Sequence, residues 1–411
     1  MRIIPSTDAA AIDELLAVHR GSDGPIEQRV GEIVSRVRRS GDRALLGYAR
    51  RLDKLRRPLE LTAREIREGA AQAPAPVRRS IAAAARHIRA VAKRQVPKGF
   101  RVTTAPGVVV EQRVTPLDRV GCYVPGGRHP LPSSLLMTAI PARAAGVEDV
   151  IVACPRPEPA VLAAALEAGA TRLFQMGGAH AVAAMAYGTE TVPRVDKIVG
   201  PGNRYVAAAK ALVSRDCSID FYAGPSEIFV VTADGPATWI AADLVAQAEH
   251  DVEARAIFVT WNHRLADEVA AEVTRRTPVD GPARQSLASH GGIILTRNEA
   301  EAIAIVNRAS PEHVVCATER AARAIRCAGA IFVGPHTAQA AGDYATGSNH
   351  VLPTSGAARF RGGLSAADFV RLTSVQRVTA RGLAGIAPTA VTLARAEGLT
   401  AHAASIEVRV K

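Results

Sequence analysis

Apolar residues recur at three- and four-residue intervals over residues 9–20, 27–40 and 41–52, and this spacing predicts three helices. Thr62 followed by Glu65 reads as a capping box opening another. An Ala-rich helix is expected over residues 76–95, ending at the turn residues Pro97, Lys98 and Gly99. From Gly107 the period changes. Short β-rich runs at 108–110, 119–124, 149–153 and 172–175 alternate with helical stretches at 133–145 and 160–168. A second series places strands at 227–232, 255–260, 291–295 and 330–333, with helices at 239–249, 264–275 and 299–309 between them. Strand–helix–strand alternation predicts parallel sheets covered by helices, and its repetition predicts two Rossmann-like halves. Such sheets bind ligands beyond the C-terminal ends of their strands. After Arg361 the pattern thins to residues 365–374, a helix at 383–398 with a proline break, and a strand-like 406–410. That tail is too small for its own core, so it is expected to pack on another lobe or another subunit.

Composition narrows the class. The chain has 411 residues, 48% of them hydrophobic and 22% charged, the profile of a compact protein with more than one lobe. Aromatic residues make up only 4%, so the cores are expected to be small and aliphatic. The first residues contain no run resembling a signal peptide, and the longest apolar runs are strand-sized, which argues against a membrane span. Five cysteines (Cys122, Cys154, Cys217, Cys316, Cys327) form no CxxC pair, so a reducing cytoplasm is the expected setting. The formal charge of +12 is thinly spread; its densest cluster, Arg50, Arg51, Lys54, Arg56 and Arg57, reads as a solvated helix end and loop. Without aromatic interleaving, a nucleic-acid partner is not expected.

Three groups of residues carry candidate chemistry. No GxGxxG appears, but three glycine-rich turns follow strand-like runs: residues 123–127 (YVPGG), 176–179 (MGGA) and 200–203 (GPGN). They are either tight βα turns or cradles offering backbone N–H groups to a phosphate. Gln247 and His250 share a helix face, Asp343 and His350 flank a glycine-bearing loop, and His402 lies in the tail. Two imidazoles and a carboxylate suit zinc, while a packed or exposed histidine is the plainer alternative. Glu312 and His313 stand together at a strand start, as a general acid–base pair or as an ordinary acid beside a buried imidazole. Cys122 and Cys316 have no activating partner in sequence and read as small buried hydrophobes.

Taken together, these segments resemble the histidinol dehydrogenase family along nearly the whole chain. The resemblance rests on VGCYVPGG at 120–127, GGAHAVAAMAYGT at 177–189, VDKIVGPGNRYV at 195–206, AGPSE at 223–227, ADLVAQAEH at 242–250, SPEH at 310–313, AGDYATGSNHVLP at 341–353 and EGLTAH at 397–402. It implies an α/β protein of two Rossmann-like domains with parallel sheets, plus small N- and C-terminal segments exchanged in a homodimer with shared active sites. The implied divisions are an arm over 1–20, a helical part over 21–114 joined to the second domain, an NAD-binding domain over 115–226, a second domain with the metal site over 227–363, and an exchanged tail over 364–411. Implied zinc ligands are Gln247, His250, Asp343 and His402, the last from the partner. Glu312 and His313 match the catalytic pair, and Tyr123, His180 and Asn203 match NAD contacts. Ser226, Gln247, His250, His313, Asp343, Glu397 and His402 match the substrate site, with His350 in the same loop. The implied reaction oxidises L-histidinol to L-histidine through the aldehyde, with two NAD consumed.

Some positions depart from the family's usual pattern. His180 stands where glutamine is common, and Arg128, His129 and Tyr222 are unusual near the expected ligand approach. These departures frame the alternative, a paralogue oxidising another small alcohol, such as a sulfonated propanediol, with the same zinc and NAD. A basic nucleic-acid module predicts salt-sensitive duplex binding. A purely structural zinc predicts unfolding on chelation without turnover.

Overall fold

The computed structural model describes residues 1–17, 24–126, 130–222 and 224–410. Arg128 and His129 therefore lie outside the described residues, as does the end of the helix expected over 9–20.

Two six-stranded sheets organise the chain. In the first, the order is Glu60–Leu61, Arg172–Phe174, Asp149–Ala153, Arg119–Tyr123, Lys197–Val199, Ser218–Ile219, parallel except for the short first strand. The chain moves outward from Arg119–Tyr123 in one direction and then returns to place Lys197–Val199 on its other side. The two turns at 123–126 and 200–203 therefore flank the point where the strand order reverses, the usual crevice in an open α/β sheet. The second sheet is parallel throughout, in the order Arg2–Pro5, Gly291–Leu295, Arg255–Thr260, Glu227–Val231, His313–Cys316, Ala330–Val333.

Most of the expected strands and crossover helices appear close to their predicted bounds, because the central strands are short aliphatic runs buried on both faces; the strand expected at 108–110 extends to Pro116. The Thr62–Glu65 capping box forms, and Gly41, with φ +48, breaks the long helix Gly24–Tyr48 where two helices were expected. The cysteines are free, Cys122 and Cys316 among the buried ones, as small hydrophobes. The basic cluster at 50–57 is exposed. No helix among the described residues is long and apolar enough to cross a membrane.

Several expectations need correction. The helical part expected on the second domain packs on the first. Val30, Ile33, Val34 and Val37 of Gly24–Tyr48 share a core with Ala181–Ala186, and Ile81, Ala85, Ile88 and Ala92 of Ala75–Gln95 share one with Leu135, Met137 and Ile140. The reason lies in the crossover helices. Pro132–Ala144 and Gly178–Tyr187 are buried nearly all round, so a further helical layer must cover their outer faces. The second sheet's helix His263–Arg276 is amphipathic and needs no such cover. The N-terminal segment completes the second sheet of its own chain, with Ile3 opposite Ile293. Residues of the 350–369 stretch (Val351, Leu364, Ala366 and Phe369) belong to the first core, so that lobe takes in the end of the expected second domain.

The tail is only partly as expected. Val370–Val378 pairs antiparallel with Val108–Pro116, which also pairs with Phe100–Ala105, in a separate three-stranded sheet. Residues 406–410 are not a strand: Thr400–Glu407 is a helix and residues 408–410 form a turn.

Candidate active site

Most of the predicted site residues converge at the N-terminal edge of the second sheet, not beyond its C-terminal edge. Ser226 and Glu227 start the strand Glu227–Val231, and Glu312 and His313 start the neighbouring His313–Cys316. The helix Ala237–Ala248 runs back against the strands, so its C-terminal end brings Gln247 and His250 to the same edge. Gln339–Tyr344 likewise ends there with Asp343. A helix C-terminus carries a partial negative charge that favours a cation, where an N-terminus favours phosphate. This edge therefore suits a metal better than a dinucleotide.

The hydrogen bonds of the cluster assign its protons. Gln247 Nε2 donates to Ser226 Oγ at 2.7 Å, and Ser226 donates to Glu312 Oε2 at 2.5 Å. The Glu227 N–H also donates to Glu312 Oε2, at 2.9 Å. His313 Nδ1 lies 3.0 Å from the Glu227 carbonyl, which can only accept, so Nδ1 carries the proton and Nε2 is a lone-pair acceptor. His250 Nδ1 is held in the same way by the carbonyls of Ala246 and Gln247, each at 3.2 Å. His350 Nδ1 donates to the Asp343 carbonyl at 2.9 Å, and Gln339 Nε2 to Asp343 Oδ2 at 3.0 Å. Two buried atoms of this cluster remain without a partner among the described residues: Gln247 Oε1 and His313 Nε2. Buried polar atoms are rarely orphaned, so both mark a place for a ligand.

Burial sets the protonation tendencies. It pushes the Glu312 carboxyl up to about 8, against the lowering effect of the Ser226 and Glu227 hydrogen bonds; Asp343 raises it further and His250 lowers it. The same desolvation lowers His313 and His350 and so favours their neutral forms. The charges of Asp343 and His250 act on both Glu312 and His313, placing all four within electrostatic reach.

A metal test follows from these atoms. Gln247 Oε1 is a free buried oxygen, His250 has its Nδ1 committed to backbone carbonyls so that Nε2 is the ring nitrogen available to a metal, and Asp343 supplies a carboxylate nearby: an oxygen- and nitrogen-rich set that fits zinc. Among the described residues no group of three or more His, Cys, Asp or Glu side chains could hold a metal within one chain. That follows from the set itself, since one donor is an amide and the fourth expected ligand lies elsewhere. His402 and Glu397 are exposed on the C-terminal helical segment. The structure does not bring either into this cluster.

The expected dinucleotide contacts lie at the C-terminal edge of the first sheet. Tyr123 is buried, its hydroxyl accepts the Gly178 N–H at 3.0 Å, and burial pushes it up to about 12. His180 Nε2 donates to Asp53 Oδ2 at 2.7 Å, and its ring stacks on Tyr48. Asn203 caps the helix Arg204–Val213 by accepting from the N–H groups of Tyr205 and Val206. Tyr222 is 63% exposed, with its hydroxyl 3.3 Å from Ser214 Oγ, so it faces outward. Only residues 220–226, at most about 25 Å of extended chain, separate this edge from the cluster at Ser226.

Sequence reasoning missed two supports. Glu227, inside the AGPSE segment, orients His313 through its carbonyl and Glu312 through its N–H. Asp53, which holds His180 and the Gly177 N–H, was hidden in the basic cluster that reads as solvated loop. The loop after Asp343 is also fixed from the first lobe: His87 Nδ1 donates to the Ala345 carbonyl at 2.7 Å, and Asn349 Nδ2 to the Met137 carbonyl at 2.7 Å.

Comparison with known proteins identifies the family. The histidinol dehydrogenase family profile matches residues 18–410. Histidinol dehydrogenase of Methylococcus capsulatus is 47% identical over 420 residues, spanning 98% of this chain and 96% of its own length. That of Pseudomonas aeruginosa is 45% identical over 415 residues, spanning 97% and 94%. The crystal structure of histidinol dehydrogenase from Elizabethkingia anophelis superimposes with a TM-score of 0.94 at 31% identity, covering 100% of this chain and 98% of that one.

Proposed function

The chain belongs to the histidinol dehydrogenase family, and from that premise we propose that it oxidises L-histidinol to L-histidine through the aldehyde, with zinc and two NAD per turnover, as a cytoplasmic homodimer of two Rossmann-like domains per subunit. The observation that carries this reading is the buried cluster at Ser226, Gln247, Glu312 and His313, with Gln247 Oε1 and His313 Nε2 left for ligands. When bound, zinc anchors and polarises the substrate, and the dinucleotide accepts its electron pairs.

Gln247, His250 and Asp343 hold the zinc, with His402 supplied by the second subunit. Tyr123, His180 and Asn203 border the dinucleotide at the reversal of strand order in the first sheet. Ser226, His313, His350, Asp343, Glu397 and His402 enclose the substrate. His313 takes the alcohol proton on Nε2: its Nδ1–H is committed to the Glu227 carbonyl, and burial keeps the ring neutral and ready to accept. Glu312, aimed by Ser226 and the Glu227 N–H, withdraws a proton from the water that hydrates the aldehyde. Its raised pKa makes the ionised form a stronger base than an exposed glutamate. The fixed cluster holds the aldehyde between the two steps, so positioning contributes more than acid–base strength alone. Tyr222, turned outward, gives no support to a pocket reshaped for a different alcohol.

Subunit complementation tests the shared site. His402→Ala and His313→Ala proteins are each expected to lose at least about 99% of activity, and coproduced mixed dimers to regain activity from one intact site per dimer. No recovery in verified mixed dimers would place His402 outside a shared site.

A further inference from the structure

We infer that the buried ion pair of Lys210 and Asp220 is a positioning device that sets the 200–203 turn for the dinucleotide and ties it to the crossover leading to Ser226. This rests on the proposed reading that the turn borders the dinucleotide. Both side chains are almost wholly buried, Lys210 at 3% exposure and Asp220 at 2%. Two charges withdrawn from water are no efficient source of stability, since apolar residues of similar size often serve as well. What the pair holds explains it better.

Both polar groups of one glycine backbone end on this pair. Lys210 Nζ donates to the Gly200 carbonyl at 3.0 Å, and Asp220 Oδ2 accepts the Gly200 N–H at 2.8 Å. Gly200 has φ +114, and a Cβ there would lie 2.2 Å from the Tyr123 carbonyl oxygen. The strand Lys197–Val199 thus ends in a conformation that only glycine tolerates, pressed against Tyr123. Side chains replace the sheet ladder at that point. Lys210 also sits on the helix Arg204–Val213, whose first N–H groups are capped by Asn203. One end of the turn is therefore fixed by the ion pair and the other by the cap.

Asp220 reaches further. Its Oδ1 accepts the Phe221 N–H at 2.7 Å, and its carbonyl receives Arg361, whose guanidinium stacks on Phe221 at 4.9 Å. The residue that holds the dinucleotide turn thus also begins the crossover to Ser226 and Glu227, and it pins the return segment at Arg361. Lys210 and Asp220 touch neither reacting atoms nor substrate, so they act through Gly200.

The test uses the full-length protein and three readouts: NADH fluorescence titration, thermal melting and zinc content. Lys210→Met/Asp220→Asn removes both charges at similar volume, and it is expected to stay folded with wild-type zinc content. Its Kd for NADH should rise at least about tenfold, with the steady-state loss falling mainly in KM for NAD rather than kcat. Lys210→Arg, which keeps the cation, should restore most of the affinity. A folded double variant that binds NADH within twofold of wild type would overturn the inference. If the double variant does not fold, Lys210→Gln decides: unchanged NADH affinity in that folded protein overturns the inference, and a tenfold loss supports it. Failure of the wild type itself to bind NADH would instead overturn the underlying functional reading.

Discussion

Replacing Ser226 by alanine probes the cluster at its centre. Ser226 accepts from Gln247 Nε2 at 2.7 Å and donates to Glu312 Oε2 at 2.5 Å, so one hydroxyl links the proposed metal ligand to the proposed base. Its loss leaves the fully buried Gln247 amide free to rotate and removes the hydrogen bond that most opposes the burial-driven rise of Glu312. A hydrogen bond to a charged group contributes about 1.5–3 kcal/mol, which corresponds to roughly a tenfold to 150-fold loss in kcat/KM. The pH at which kcat/KM reaches half its maximum on the acid side should move upward, because Glu312 holds its proton more tightly. Steady-state NADH formation from histidinol between pH 6 and 9, with zinc content and melting temperature measured alongside, checks both effects. A Ser226→Ala enzyme within twofold of wild type, with its acid limb unmoved, would refute the relay.

Three other outcomes are expected. His313→Ala should lower kcat by about 10²–10⁴-fold while leaving zinc content unchanged, as measured by metal analysis and single-turnover kinetics. Gly200→Ala should cost about 3 kcal/mol or more, from the φ of +114 and the contact with the Tyr123 carbonyl, whereas Gly31→Ala, in open helix surface, should add about 0.5–1 kcal/mol. Denaturant midpoints of the two variants give the comparison. Burial lifts Glu227 to about 7 from its ordinary 4.5, despite the opposing Arg255, so the folded state binds its proton more tightly. That contribution is fully present below pH 4.5 and is lost as the pH rises through 7, lowering stability by at most about 3 kcal/mol across the window. Glu227→Gln should flatten this slope in urea melts, and an unchanged slope would assign it to other groups.

The alternation of strands and helices was legible because each strand is a short buried run and each crossover helix has turn residues at its ends. The placement of the helical part was not, although its signal was present. Residues 134–142 and 179–186 are largely apolar and buried nearly all round, so they require a covering layer, and Gly24–Tyr48 and Ala75–Gln95 provide it. The hairpin strand Phe100–Ala105 escaped notice because its residues are mostly exposed and its apolar alternation, Phe100 and Val102, is too short to stand out. Within the site, residue types pointed to Gln247, His250, Glu312, His313 and Asp343, which the fold does gather. The general rule for open α/β sheets points to the C-terminal edge of the second sheet, whereas the candidate residues gather at its strand N-termini, beside a helix C-terminus that suits a cation. Supports acting through backbone groups, such as the Glu227 carbonyl on His313, leave no mark on residue identity. Glu397 and His402 lie apart from the cluster within one chain, exposed on the C-terminal helical segment.

The central claim is tested most directly by counting NADH formed against histidine produced when zinc-loaded protein acts on L-histidinol. The account predicts two NADH per histidine, activity lost on chelation and restored by zinc. A folded protein that binds zinc and NADH yet leaves histidinol untouched would contradict it, as would a stoichiometry of one with aldehyde released.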